Sequence, residues 1–218
     1  MQPDRASLES FVGSYSVETG GRRGTLRLVR RGAFLHAEAT LDDGGDVRDG
    51  LAMPFAGPLV MAVGPKDKVE IGAYRVVGDR LEGLWVPPGA DQEDFAKCGR
   101  ENSVGGDLRG ARPWTIADAV AIDGQAYHGT IKTEPAAPPA AVKLAGEPAP
   151  IRITWNLHDG DFQSFGLAYA DALYTTFSFE PEKPYGVIVY DVAGDTLHGR
   201  RLDSGSYAIT TETLRRQR

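Results

Sequence analysis

The chain is poor in the segments that identify several common classes of protein. It has 218 residues and one cysteine, Cys98, so no disulfide can form within it. No apolar run approaches the ~20 residues that a membrane helix needs. The N-terminal segment, residues 1–7, lacks the apolar core of a secretory signal. These absences predict a cytoplasmic protein with no membrane partner.

Basic charge is also scarce. The chain has 24 Lys and Arg against 30 Asp and Glu, which gives a formal net charge of −6 at pH 7. Nucleic-acid-binding domains usually carry a basic face. The one dense basic cluster, residues 215–218, lies at the C-terminus, where a solvated tail is expected. We therefore expect no nucleic-acid partner.

Motifs for metal binding, cofactor binding or catalysis are missing too. The four histidines are not spaced as H-x-H or H-E-x-x-H, and the sequence has no P-loop or nucleophile elbow. Cys98 has Lys97 and Arg100 nearby, and cations can activate a thiol. A nucleophile also needs a base beside it, and the sequence indicates none. We predict no catalytic residue, no metal ligand and no cofactor.

What the chain does contain is an internal repeat at an offset of 116 residues. The segment from Tyr74 to Gly83 reappears as the segment from Tyr190 to Gly199. The same shift carries Gly13 onto Gly129. A repeat that keeps its register over most of its length indicates a duplicated structural unit.

The hydrophobic pattern within each copy has a period of two. Ile151, Ile153 and Trp155 alternate with polar residues, and Gly-rich turns follow at short intervals, which is typical of antiparallel strands. We predict an all-β fold of two tandem antiparallel up-and-down meander barrels, with about eight strands each. The alternative is one larger barrel or sandwich that mixes both copies.

The predicted domains follow the repeat. Residues 8–106 form the first barrel and residues 125–215 the second. Residues 107–124 form a linker, in which the segment from Trp114 to Val120 follows Pro113 and is expected to make one or two helical turns. We expect the two barrels to pack as an intramolecular pseudo-dimer. The oligomeric state stays open.

Two short segments carry a resemblance to known families. The opening Phe11-Val12-Gly13-Ser14-Tyr15, followed by a meander of short strands, resembles the calycin group of avidins, lipocalins and fatty-acid-binding proteins. The segment from Tyr185 to Tyr190, with Leu197-His198-Gly199, is similar to a β-repeat of uncharacterised bacterial proteins. The resemblance implies a cup that holds a small ligand, and it identifies no ligand residue.

Comparison of the two copies indicates where a ligand would bind. Ala37 and Ala39 correspond to Ile153 and Trp155, so we expect the larger cavity in the first copy. Trp85 corresponds to Arg201, which would either clamp an anion or emerge into solvent beside an acid such as Asp203. The ligand-binding candidates are residues on predicted inward faces: Arg201, Tyr190, Trp155, Ala37, Ala39, Trp85 and Tyr74.

Three functions from different classes remain open. The first is a module that binds a small anionic or hydrophobic molecule in a barrel cavity. The second is a structural or interaction protein with filled barrels and an exposed apolar patch. The third is an enzyme, which would need convergent polar groups that the sequence does not reveal. We rank the binding module first and the enzyme last.

Overall fold

The computed structural model describes residues 5–42, 47–89, 98–136, 147–206 and 208–217. This part of the chain contains one short helix and sixteen strands. The helix is α1 (Arg5–Phe11). None of the described residues belongs to a helix with the length and apolar character needed to cross a bilayer.

The strands form two closed antiparallel barrels of eight strands each, which confirms the predicted fold class. The first barrel consists, in ring order, of β1 (Gly13–Thr19), β2 (Arg22–Arg31), β3 (Phe34–Leu41), β4 (Val47–Pro54), β5 (Leu59–Gly64), β14 (Gly186–Ala193), β15 (Thr196–Asp203) and β16 (Thr210–Arg216). The second consists of β10 (Gly129–Pro135), β11 (Ala149–Leu157), β12 (Gly160–Ala168), β13 (Ala172–Ser178), β6 (Val69–Val77), β7 (Arg80–Val86), β8 (Gly99–Val104) and β9 (Trp114–Val120).

Each barrel mixes strands from both copies of the repeat. The chain leaves the first barrel after β5 and returns to it at β14, so β5 pairs with β14 and β13 pairs with β6. The prediction that residues 8–106 form one barrel and residues 125–215 the other is therefore wrong. Alternating hydrophobicity shows which side chains point inward, but it does not show which strand lies alongside.

The predicted linker is also wrong, because residues 107–124 contain a barrel strand. Trp114 and Ile116 are buried while Thr115 and Ala117 are exposed, which is the alternation of a strand and not of a helix. β9 lies between β8 and β10 in the second barrel, and β1 lies between β16 and β2 in the first, so β9 is the equivalent of β1 and β10 is the equivalent of β2. Gly129 at the start of β10 consequently does not occupy the place of Gly13, and the offset of 116 does not apply to these strands.

Three apolar clusters hold the structure together. One fills the first barrel and one lies inside the second. The third joins the outer faces of the two barrels, with Val60 and Val189 from the first packed in one cluster with Ile71 and Leu84 from the second. The strands at this contact are buried on both faces. This explains why β5 reads as a continuous apolar run and not as an alternating one.

Candidate functional site

The first barrel is nearly filled around Ala39 and Arg201, and a cavity of about 240 Å³ lies beside α1 at one end. Leu8 and Phe11 of α1 belong to the cluster inside the barrel and are 1% and 7% exposed.

Nearer the other end of the first barrel, Arg201 lies against a cavity of only about 20 Å³. Its guanidinium donates a 2.8 Å hydrogen bond to Asp203 and lies 3.6 Å from Glu212. The expectation that Ala37 and Ala39 leave the larger cavity is therefore wrong, because neighbouring side chains occupy the space.

The second barrel contains a cavity of about 450 Å³. This volume lies within the range of small-molecule sites, about 300–1,000 Å³. Its twelve described lining residues come from five strands and from the loops beside them: Glu70, Tyr74, Trp85, Pro87, Pro88, Glu101, Ala121, Tyr127, Trp155, Leu157, Phe162 and Phe179.

Aromatic rings form much of the cavity wall. The Trp155 and Phe162 rings stack with centroids 5.1 Å apart, and the edge-to-face pair of Trp85 and Tyr127 has centroids 6.3 Å apart. Phe179 also lines the cavity and is 66% exposed. A Cβ added to Gly99 would lie 2.2 Å from the Trp85 ring, so this glycine leaves room for the indole.

A hydrogen-bond chain runs through the cavity to Glu101. The Trp85 indole Nε1 donates to the Tyr127 hydroxyl over 3.0 Å, and this hydroxyl donates to Glu101 Oε2 over 2.8 Å. Glu101 is 1% exposed, and its other oxygen, Oε1, is buried with no hydrogen-bond partner among the described residues. Such an atom carries a desolvation cost until a partner is supplied.

Two carboxyl groups in the cavity have strongly raised pKa values. Burial raises the pKa of Glu101 from its ordinary 4.5 to about 7, while the hydrogen bond from Tyr127 and the nearby Trp155 indole act in the opposite direction. Burial, together with repulsion from Glu101, raises the pKa of Glu70 to about 8. The same desolvation raises the pKa of Tyr74 and of Tyr127. Perturbed titratable groups in a concave site mark a candidate functional site.

The structure divides the predicted ligand-binding residues between the two barrels. Trp85, Trp155 and Tyr74 line the large cavity, whereas Arg201, Tyr190, Ala37 and Ala39 lie in the first barrel. Arg201 pairs with Asp203, one of the two arrangements considered for it from the sequence.

The sequence reasoning missed Glu101, Glu70 and Tyr127. Glu101 alternates with Gly99 and Ser103, all three buried, so an acidic residue in the inward phase of a strand was the available signal. Tyr127 lies in a loop, where hydrophobic periodicity gives no information.

Two other groups considered from the sequence lie outside the cavity. Cys98 packs against the cluster between the barrels, and burial raises the pKa of its thiol to about 11. A thiol that stays protonated at neutral pH is a poor nucleophile. His36 Nε2 lies 3.3 Å from Asp49 and 3.5 Å from Glu38. These three residues could supply a metal with one ligand atom each, although Glu38 is more than half exposed.

A comparison of the chain with known protein families, with curated proteins and with solved structures finds no match.

Proposed function

We propose that this protein is a small-molecule binding module whose ligand occupies the cavity of the second barrel. The observation that carries the proposal is the 450 Å³ cavity with the buried, partly unpaired Glu101 carboxyl in its wall. Eight-stranded barrels of this size hold one small ligand in several protein families. The resemblance to calycins, which implies a ligand-holding cup, supports the same function.

The cavity favours a ligand with a hydrophobic body and one polar group. Trp85, Trp155 and Phe162 offer ring faces and edges, and Pro87 and Pro88 add apolar surface. The polar groups of the wall belong to Glu70, Glu101 and the tyrosines, so polar contacts are few and localised. Sites built in this way obtain affinity from apolar burial and orientation from the few polar contacts.

Titration with the neutral fluorophore N-phenyl-1-naphthylamine tests the proposal. We expect saturable fluorescence enhancement together with quenching of the tryptophans, since Trp85 and Trp155 line the cavity. Ala121→Trp places a large ring in the cavity and should weaken binding at least about tenfold, since overpacked sites exclude their contents. The matched control is Ala117→Trp, at an exposed position of β9, which should bind as the unaltered chain does.

Two results would count against a binding cavity. One is the absence of saturable binding by the unaltered chain. The other is equal weakening by Ala117→Trp and Ala121→Trp, because an effect that does not depend on the cavity wall would come from loss of structure.

A further inference from the structure

The two barrels share a row of three residues, Tyr, Gly and Glu, across neighbouring strands. In the first barrel, Tyr190 is paired with Gly199 and Gly199 with Glu212. In the second barrel, Tyr74 is paired with Gly83 and Gly83 with Glu101. Glu212 and Glu101 are therefore equivalent carboxyl groups, and both are at least 95% buried.

The glycine of each row is required by the tyrosine beside it. A Cβ on Gly83 would lie 2.0 Å from the Tyr74 ring, and a Cβ on Gly199 would lie 2.7 Å from the Tyr190 ring. Each tyrosine therefore lies over a glycine, which directs its ring along the barrel wall toward the glutamate strand. In the first barrel, the Tyr190 hydroxyl donates a hydrogen bond to Glu212.

The two glutamates differ in whether the protein supplies a cation to them. Arg201 follows Gly199 by two residues and lies 3.6 Å from Glu212, so the first barrel supplies a guanidinium. Trp85 follows Gly83 by two residues and holds the equivalent place in the second barrel. An indole cannot neutralise a carboxylate, and its N–H donates to Tyr127 instead.

The described wall of the cavity in the second barrel consequently has acidic groups without a basic partner. Of its described lining residues, Glu70 and Glu101 are acidic, and none is Lys, Arg or His. The titratable groups that face Glu101 there are Glu70, Tyr74 and Tyr127. Each of them is either neutral or negatively charged, so none can act as a cation. Buried carboxylates need a paired charge or hydrogen-bond donors.

We infer that the ligand of this cavity is an organic cation, a protonated amine on a hydrophobic body, whose ammonium group takes the place that the Arg201 guanidinium holds in the first barrel. The ammonium donates to Glu101 Oε1, and Glu70 supplies a second negative charge. The aromatic wall suits the same ligand class, because the ring faces of Trp and Tyr attract cations. This inference rests on the proposed function and replaces the anionic ligand that Arg201 suggested.

A series of three ligands on one carbon skeleton tests the inference. 4-Phenylbutylamine, 4-phenylbutanol and 4-phenylbutyrate carry a positive, a neutral and a negative head, and isothermal titration calorimetry at pH 8 gives the affinity of each for the unaltered chain. A charge-assisted hydrogen bond is about twice as strong as a neutral one. We expect the amine to bind at least about tenfold more tightly than the alcohol, and the carboxylate to bind most weakly.

A pair of variants locates the effect. Glu101→Gln should weaken amine binding about tenfold while changing alcohol binding less than about threefold, because only the charged head loses its partner. Glu18→Gln makes the same charge change at an exposed position of β1 and should leave both affinities unchanged.

The outcomes separate this inference from the proposed function. If the alcohol or the carboxylate binds as tightly as the amine or more tightly, the cavity binds small molecules and the inference about charge is wrong. An amine preference that Glu101→Gln leaves undiminished also overturns it, since the charge would then be recognised elsewhere. If none of the three ligands binds and the neutral fluorophore does not bind either, the proposed function and the inference both fail.

Discussion

Arg201 in the first barrel and Trp85 in the second occupy equivalent positions, each two residues beyond a glycine that lies under a tyrosine ring. Arg201 lines a cavity of about 20 Å³, whereas Trp85 lines a cavity of about 450 Å³. The arginine brings a positive charge to its barrel, while the tryptophan contributes apolar surface and an N–H donor. One exchange in a duplicated framework thus distinguishes an interior that neutralises its own carboxylate from one whose described lining residues include no cation.

Trp85→Arg should give the second barrel a guanidinium beside its buried glutamate, as Arg201 does in the first barrel. The new guanidinium would pair with Glu101, and we expect amine binding to fall at least about tenfold, because a cation in place lowers the attraction for another. Trp85→Phe is the matched control. Both substitutions remove the indole N–H that bonds to Tyr127, so the difference between the two affinities reports the added charge. Equal affinities for the two variants would contradict the assigned role of this position.

The stability of the ligand-free protein should fall as the pH rises. Below pH 4.5, Glu101 is protonated in both the folded and the unfolded state and has no effect. Between pH 4.5 and its folded pKa of about 7, the unfolded state releases the proton while the folded state keeps it. The free energy of unfolding then falls by about 3 kcal/mol, at about 1.36 kcal/mol for each pKa unit.

Chemical denaturation at pH 5 and at pH 8 measures this effect. Glu101→Gln should reduce the difference between the two conditions, since the amide does not titrate, while the exposed Glu18→Gln should leave it unchanged. A pH dependence that is the same in all three proteins would show that Glu101 does not carry a raised pKa.

Tyr127→Phe should raise the pKa of Glu101 further. The hydroxyl donates to Glu101 Oε2 over 2.8 Å, and this bond favours the ionised carboxylate. Its removal also leaves the Trp85 N–H without its acceptor, so we expect a stability loss of about 1–2 kcal/mol. Carboxyl NMR titration gives the pKa, with Tyr169→Phe as a control. A fall in the Glu101 pKa would contradict the hydrogen-bond direction.

The exchange of strands predicts how separated parts of the chain behave. A fragment of residues 1–110 holds five strands of the first barrel and three of the second, so neither barrel can close within it. We expect the isolated fragment to lack a cooperative unfolding transition as a monomer, and a mixture with residues 111–218 to restore it. Circular dichroism melting with size-exclusion chromatography measures both. A folded, cooperative monomer of residues 1–110 would contradict the mixed barrels.

The local hydrophobic pattern predicted where the strands lie better than it predicted which strands pair with each other. The alternation of Ile151, Ile153 and Trp155 predicted their burial, and all three are inward. The repeat correctly related Tyr74 to Tyr190, because these strands keep the same register in both barrels. Strand partners could not be predicted, because alternation along a strand does not show which strand lies beside it, and β5 pairs with β14 and not with β6, the next strand in the sequence. Trp114 to Val120 was expected to be helical because Pro113 precedes it, and barrel closure outweighed that signal.

The candidate site was only partly predictable for a related reason. Trp85 and Trp155 were found because large aromatic residues in an inward phase are visible in the sequence. Glu101 and Tyr127 acquire their roles from contact across 26 residues of chain, through a loop that folds over the barrel. The expectation of a larger cavity beside Ala37 and Ala39 considered single positions, whereas cavity size depends on every side chain that reaches the same space.

A crystal structure of the 218-residue chain with 4-phenylbutylamine bound tests the proposed site most directly. We expect the phenyl group among Trp85, Trp155 and Phe162, with the ammonium nitrogen about 3 Å from Glu101 Oε1. A ligand whose ammonium group points to solvent, or a ligand bound elsewhere with the second barrel empty, would contradict it.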